Sequence, residues 1–411
     1  MRLPERLDGL RSVRVRREAL RRAWPLAAAL LVIAVIASGL ACSDHGRPTL
    51  ISAFLLPDML VDLPVRPVTW ITAEPTVEQT FIDYGSGRIR ADIYRPGGGG
   101  RHAAVIFSMG APPLDLDDNR LEKLAEDVAR AGLVMVVPFS ERLDRERIEP
   151  EEIEALAGIF RYLEEQPYVD AEHIGYIGVS VGGSLALVAA AEPAIAERVD
   201  FVVAFGAYYD ALDLLQATGT GQLAYDGETE AWEPDPHTVE VMALQLIKGL
   251  PDADDRSTLC KAFVDAGDRR FLCDPPVGRD DVTSLELARL STAGRAAYDL
   301  MTGAEPERFD ELVGELPAPL LAELEELSPV ETLDRVDARK LYIIHDRGDE
   351  FIPYVESRRL RDALGDREGV HYTEVSLFEH VEPRLSRGGD VLVIDSARLY
   401  FRLYQLLLEL T

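Results

Sequence analysis

The segment Gly178-Val179-Ser180-Val181-Gly182-Gly183 joins an apolar run to a run of small residues. A serine flanked by glycines where a strand turns into a helix has one chemical use above others. The glycines let the backbone turn sharply, so the hydroxyl stands above the sheet edge, facing a helix N-terminus and the Val181 N–H. A hydroxyl needs a base to become a nucleophile, and histidine is the usual one. The chain has seven histidines, and position sorts them. His45 adjoins an apolar N-terminal run. His102 and His371 precede or begin strands, at the wrong sheet edge. His173 starts the strand that ends at Ser180, about 20 Å below it at ~3.3 Å per residue. His237 falls in an insertion, and His345 ends a strand. His380, in SLFEHVEP, follows the last strand in a loop at the carboxyl edge, where sites of such sheets lie. It is the expected base.

The imidazole in turn needs a carboxylate to orient it. In LYIIHDRGDEFIP, Asp349 lies in the loop after its strand, and the order Ser180, Asp349, His380 matches G-x-S-x-G enzymes of this type. Asp346, Glu350 and the more distant Asp210 are its rivals, whose other role is loop capping or solvation. A second oxyanion donor is expected from the loop after FSMG, with the N–H groups of Met109, Gly110 and Ala111 as candidates. Asp115, Asp117 and Asp118 read as a solvated loop and helix cap. Such chemistry needs no cofactor and no metal.

These residues require elements that hold them. TVEQTFIDYG (76–85) and GRIRADIYRP (87–96) read as a hairpin. Apolar runs at 103–110, 133–140, 173–180, 200–207 and 340–346 read as buried strands, with a further strand at 369–377. Helical spacing covers 118–131, 151–166, 182–192, 353–364 and about 389–409. Strand-helix alternation predicts an α/β fold, a mostly parallel sheet with helices on both faces. From about Tyr208 to Asp334 the alternation stops. HTVEVMALQLIKGL, DDVTSLELARL, PERFDELVGEL and PAPLLAELEEL are helical, and no strand is evident. The expected organisation is a core over 76–208 and 336–411, interrupted by a helical lid over 209–335.

The N-terminus carries a different message. Residues 1–23 hold eight Arg against three acids, and WPLAAALLVIAVIASGLAC (24–42) is about long enough to cross a bilayer at ~1.5 Å per residue. Basic flanks stay cytoplasmic, so the remainder is expected outside, attached to the membrane through an uncleaved signal anchor. Cleavage after Gly39-Leu40-Ala41 and lipidation of Cys42 are the alternative fates. Residues 43–75, rich in proline, read as a tether. The net charge is −29, and the first 42 residues contribute +5, leaving −34 for the exported part. That excess repels phosphate backbones and argues against nucleic-acid binding. Of three cysteines, none has zinc-site spacing. Cys260 and Cys273, in an exported insertion, are expected to form a disulfide.

Together these motifs resemble the α/β-hydrolase superfamily, most closely its dienelactone hydrolase-like and prolyl-oligopeptidase-like branches. FRYLEEQPYVDAEHIGYIGVSVGG is similar to their helix-strand-turn run, IIHDRGDEFIP to the segment carrying their acid, and FEHVEP to their histidine loop. Dienelactone hydrolases have Cys where Ser180 stands, Met109-Gly110 replaces the usual His-Gly, and Asp346 replaces a Gly. The resemblance implies a serine hydrolase, and the triad leads us to expect an exported esterase acting on small-molecule or lipid-like esters. A peptidase of prolyl-oligopeptidase type and a non-catalytic surface protein that kept the fold are the alternatives.

Overall fold

The computed structural model describes residues 45–60, 66–110, 119–264, 273, 281–379, 382–383 and 389–411. The chain enters through helix α1 (Gly46–Leu60) and the hairpin β1 (Thr76–Tyr84) and β2 (Gly87–Arg95). Then come β3 (His102–Ser108), α2 (Asn119–Ala131), β4 (Val134–Phe139), α3 (Glu151–Glu164), β5 (Val169–Val179), α4 (Val181–Ala190) and β6 (Phe201–Phe205). An insertion follows: α5 (Ala211–Thr220), β7 (Gln222–Tyr225), β8 (Glu228–Ala231), α6 (Pro236–Gly249), α7 (Ala253–Phe263), α8 (Ser284–Leu287), α9 (Thr292–Met301), α10 (Phe309–Gly314) and α11 (Ala318–Glu326). The sheet domain resumes with β9 (Lys340–Asp346), α12 (Tyr354–Leu364), β10 (Val370–Val375), the short pair β11 (Phe378–Glu379) and β12 (Glu382–Pro383), and α13 (Gly389–Leu410).

Eight strands form one sheet in the order β1-β2-β4-β3-β5-β6-β9-β10. β1–β2 and β2–β4 pair antiparallel, and the other neighbours pair parallel. Alternate side chains of each inner strand serve opposite faces. In β3, Ala104 and Ile106 join the core under α3 and α4, while Ala103 and Val105 meet α1, α2 and α13. Burial on both faces explains why these strands read as unbroken apolar runs.

Two expectations need correction. The stretch read as a tether contains α1, because Ile51 and Leu55, each 1% exposed, pack on Leu406 and Leu407 of α13. Pro57 sits inside that helix. The insertion is not wholly helical, since β7 and β8 form an antiparallel hairpin. Its turn places Asp226 at φ 53° and Gly227 at φ 78°, the positive pair that Asp-Gly hairpin turns require. Among the described residues no helix is long and apolar enough to cross a membrane. The apolar run 24–42 and Cys42 lie outside them.

The cysteine pair is joined: Cys260 and Cys273 form a disulfide with Cα atoms 6.1 Å apart. Both are buried. A loop of this length contributes about 3 kcal/mol in the chain-entropy account. Non-reduced protein should therefore resist alkylation at both cysteines, and Cys260→Ser should lower unfolding stability by about 3 kcal/mol. Mass spectrometry and denaturant titration check the two results.

Candidate active site

Ser180 occupies the single-residue corner between β5 and α4. Its backbone lies at φ 57°, ψ −135°, a region that costs a non-glycine residue about 1–3 kcal/mol and persists only when its surroundings impose it. They do so by hydrogen bonding: the Ser180 amide donates to the Phe205 carbonyl at 2.7 Å, and its carbonyl accepts from the Gly183 amide at 2.8 Å. Crowding is as strict. A Cβ on Gly178 would lie 2.3 Å from the Gly182 carbonyl oxygen, and one on Gly182 would lie 2.2 Å from those of Ser108 and Met109. The turn can be made only where these positions lack side chains.

Gly110 comes close from the other side. A Cβ there would lie 2.8 Å from the Ser180 Cβ and 3.3 Å from its Oγ. So the β3 loop does border the serine, as expected for a second oxyanion donor. Ala111, the other candidate there, lies outside the described residues. Met109 is buried, with its carbonyl oxygen turned toward Gly182. Val181 opens α4 directly behind the serine.

Asp349 is 3% exposed. One carboxylate oxygen, Oδ1, accepts from the amides of Phe351 (2.8 Å) and Ile352 (3.0 Å). Its other oxygen lies 3.5 Å from Nε2 of His345. His345 itself is fully buried, with Nδ1 2.5 Å from the Ser357 hydroxyl and Nε2 2.9 Å from the Ile352 carbonyl. It therefore supports the acid loop from below rather than reaching the cavity as a base. Asp346, the nearest rival to Asp349, has a backbone amide on each oxygen. Its Oδ1 accepts from the Gly348 amide (2.7 Å) and its Oδ2 from the Phe378 amide (2.6 Å). That second bond fixes the chain two residues before His380. His380 lies outside the described residues. Asp210 caps α5, accepting from the Leu212 amide at 2.8 Å, and Glu350 is exposed.

Ser180 and Val181 line a narrow, mostly apolar cavity of ≈ 50 Å³. The sheet domain also supplies Ile148, Tyr208, Phe351 and Ile352. The insertion supplies the rest, including Leu214 of α5, Met242 of α6 and Leu324 of α11. His237 and Gln245 of α6 add polar groups to this wall. His237 Nδ1 stands 3.8 Å from Oε1 of Glu146, which is 1% exposed, and Gln245 Nε2 donates to the Glu146 carbonyl at 2.8 Å. Setting His237 aside as part of the insertion missed its place beside Ser180. The signal was present: residues 237, 238, 241, 242 and 245 share one helical face.

Three hydrogen bonds tie the insertion to the acid loop. Trp232 Nε1 donates to the Asp349 carbonyl (3.1 Å), the Asp235 amide to the Glu350 carbonyl (2.7 Å), and the Thr238 hydroxyl to the Phe351 carbonyl (3.0 Å).

Behind the site, Glu356 of α12 holds the chain where it leaves β6. Its carboxylate accepts from the amides of Tyr209 (3.0 Å) and Asp210 (3.2 Å) and pairs with Arg359 at 2.5 Å. Burial pushes its pKa from 4.5 up to about 7, against the lowering effect of Arg359. The folded protein thus holds a proton on Glu356 that the unfolded chain has released. The resulting stabilisation is full below pH 4.5 and is lost as pH rises to about 7. Unfolding stability of the wild type relative to Glu356→Gln should fall over that window by up to about 1.4 kcal/mol per pH unit. Denaturant titrations of both proteins across it check this.

No family model matches the chain. No curated protein matches it either. Solved structures do. An acylaminoacyl peptidase from Pyrococcus horikoshii is 14% identical at TM-score 0.44, covering 82% of this chain and 41% of its own. A puromycin-hydrolyzing peptidase from Mycobacterium tuberculosis is 16% identical at TM-score 0.46, covering 85% of this chain and 42% of its own. A 2,6-dihydroxy-pseudo-oxynicotine hydrolase is 15% identical at TM-score 0.44, covering 81% and 68%. This chain thus spans under half the length of both peptidases. The chain's own strand order, parallel crossovers and strained Ser180 turn give it the α/β-hydrolase fold that the sequence motifs led us to expect.

Proposed function

We propose that this protein is a serine hydrolase that cleaves small carboxylic esters through an acyl-enzyme. The observation carrying the proposal is Ser180, a strained serine at a strand-helix turn that opens into an apolar cavity. In this reading Ser180 Oγ attacks the ester carbonyl while His380 takes its proton. The tetrahedral oxyanion is held by the Val181 N–H and an N–H of the Gly110 loop. Collapse expels the alcohol, protonated by His380. Water, activated by the same imidazole, then releases the acid, and Asp349 holds the imidazolium throughout.

The insertion serves as a lid in this reading, since α5, α6 and α11 supply much of the cavity wall. A cavity of ≈ 50 Å³ suits a short acyl group. Activity on p-nitrophenyl esters should peak at short acyl length and fall steeply with longer chains. Met242→Ala, which removes bulk from α6, should move that optimum to longer chains. An optimum unmoved by Met242→Ala would remove the lid from specificity, and no turnover of any ester would remove the esterase reading. Hydrolysis of a peptide-like amide is the second reading. It uses the same three residues, and the names of the peptidase neighbours bring it forward. Esters and amides of one acyl group, compared side by side, separate the two.

A further inference from the structure

On the sheet edge formed by β10, away from Ser180, lies a cleft of ≈ 600 Å³ between α12, β10 and α13. Five arginines line it, namely Arg347, Arg358, Arg361, Arg398 and Arg402, in a chain whose net charge is −29. Three have carboxylate partners. Arg358 meets Glu374 through two bonds of 2.5 and 3.0 Å, Arg361 meets Asp362 at 2.7 Å, and Arg398 meets Asp395 at 3.0 Å. Arg347 and Arg402 have no carboxylate within ion-pair distance among the described residues, so the cleft keeps an excess of positive charge. Arg402 is held by neutral acceptors, with Nε 2.8 Å from the Thr373 hydroxyl and Nη1 2.9 Å from Gln405 Oε1. Burial without a carboxylate beside it holds its pKa below the usual arginine value.

The guanidinium groups are also positioned in advance. Arg347 and Arg358 lie over the Tyr354 ring at 5.5 and 4.6 Å, and Arg361 over the Tyr372 ring at 5.0 Å. Planar donors held around an open cleft, two of them on arginines without a carboxylate partner, suit recognition of a tetrahedral oxyanion. One exposed aromatic side chain, Phe401 of α13, also lines the cleft.

We propose that this cleft binds a phosphate-bearing group, whether the headgroup of an anionic phospholipid or a free phosphate compound of the same chemistry. The competing explanation is that the arginines only shield the open β10 edge from pairing with another strand.

Full-length protein in non-ionic detergent micelles tests the proposal by calorimetric titration. One probe is inorganic phosphate, and the other is mixed micelles containing phosphatidylglycerol, with phosphatidylcholine micelles as the reference. Saturable binding that weakens with salt is expected. Arg347→Gln and Arg402→Gln should each weaken it by roughly tenfold. Binding of inorganic phosphate supports a free phosphate compound, and binding of phosphatidylglycerol alone supports the headgroup. Arg347 is exposed, so its variant keeps the test intact should the Arg402 variant misfold. Absence of binding to either probe overturns the proposal. So does binding that Arg347→Gln leaves unchanged. Aggregation of the variants with unaltered affinity would assign the arginines to edge protection instead.

Discussion

Ser180→Ala should lower kcat on the best ester by about 10⁶-fold, as loss of a serine nucleophile does elsewhere, and should abolish labelling by a fluorophosphonate. The size follows from what the fold invests at this corner. The chain holds a non-glycine residue at φ 57° and excludes side chains at Gly178, Gly182 and Gly110. Both features place one hydroxyl at a helix N-terminus. Alanine fits the same corner, so the fold should survive while the nucleophile is lost. Turnover that remained within tenfold of wild type would end the proposal, as would labelling that persisted in the variant.

The second large effect separates two aspartates three residues apart. Asp349→Asn should reduce kcat by about 10⁴-fold, because an amide cannot stabilise the imidazolium. It should cost little stability, since the asparagine oxygen can still accept from Phe351 and Ile352, the two amides that Oδ1 now serves. Asp346→Asn should behave in the opposite way. Both its oxygens accept backbone amides, from Gly348 and Phe378. Asparagine would turn one acceptor into a donor facing a donor, at a cost of about 1–3 kcal/mol. Activity and denaturant unfolding, measured on both variants, check the contrast. A greater loss of kcat from Asp346→Asn than from Asp349→Asn would exchange the two assignments.

Much of this was legible in the sequence. Burial on both faces made each inner strand an unbroken apolar run, and the glycines around Ser180 marked a turn that sterics alone explain. Asp349 was separable from Asp346 only by its place in the loop. The partners that Asp346 takes up are backbone amides, which leave no trace in residue type. Where the reading fell short, the local signal was weak or was outweighed. β8, Glu228–Ala231, is exposed along its whole length, so no alternation betrayed it, although Asp226-Gly227 did announce a hairpin. Pro57 argued for a tether, yet Ile51 and Leu55 gain more from burial against α13 than the proline costs. His237 was set aside because it falls in the insertion, a place in the chain that says nothing about where a helix folds back.

The three hydrogen bonds between residues 232–238 and the loop 349–351 have a consequence for timing. A displacement of the insertion by more than about an ångström breaks them, since hydrogen bonds weaken steeply with distance and angle. The loop they hold is the one that carries Asp349. If the insertion is the lid of the proposed reaction, a gate wired to this loop would loosen the acid's seat whenever it opened. Such an enzyme would cycle in two beats, admitting or releasing while disarmed and reacting when shut. Its turnover would then be paced by the swing of the gate whenever the chemistry is the faster beat.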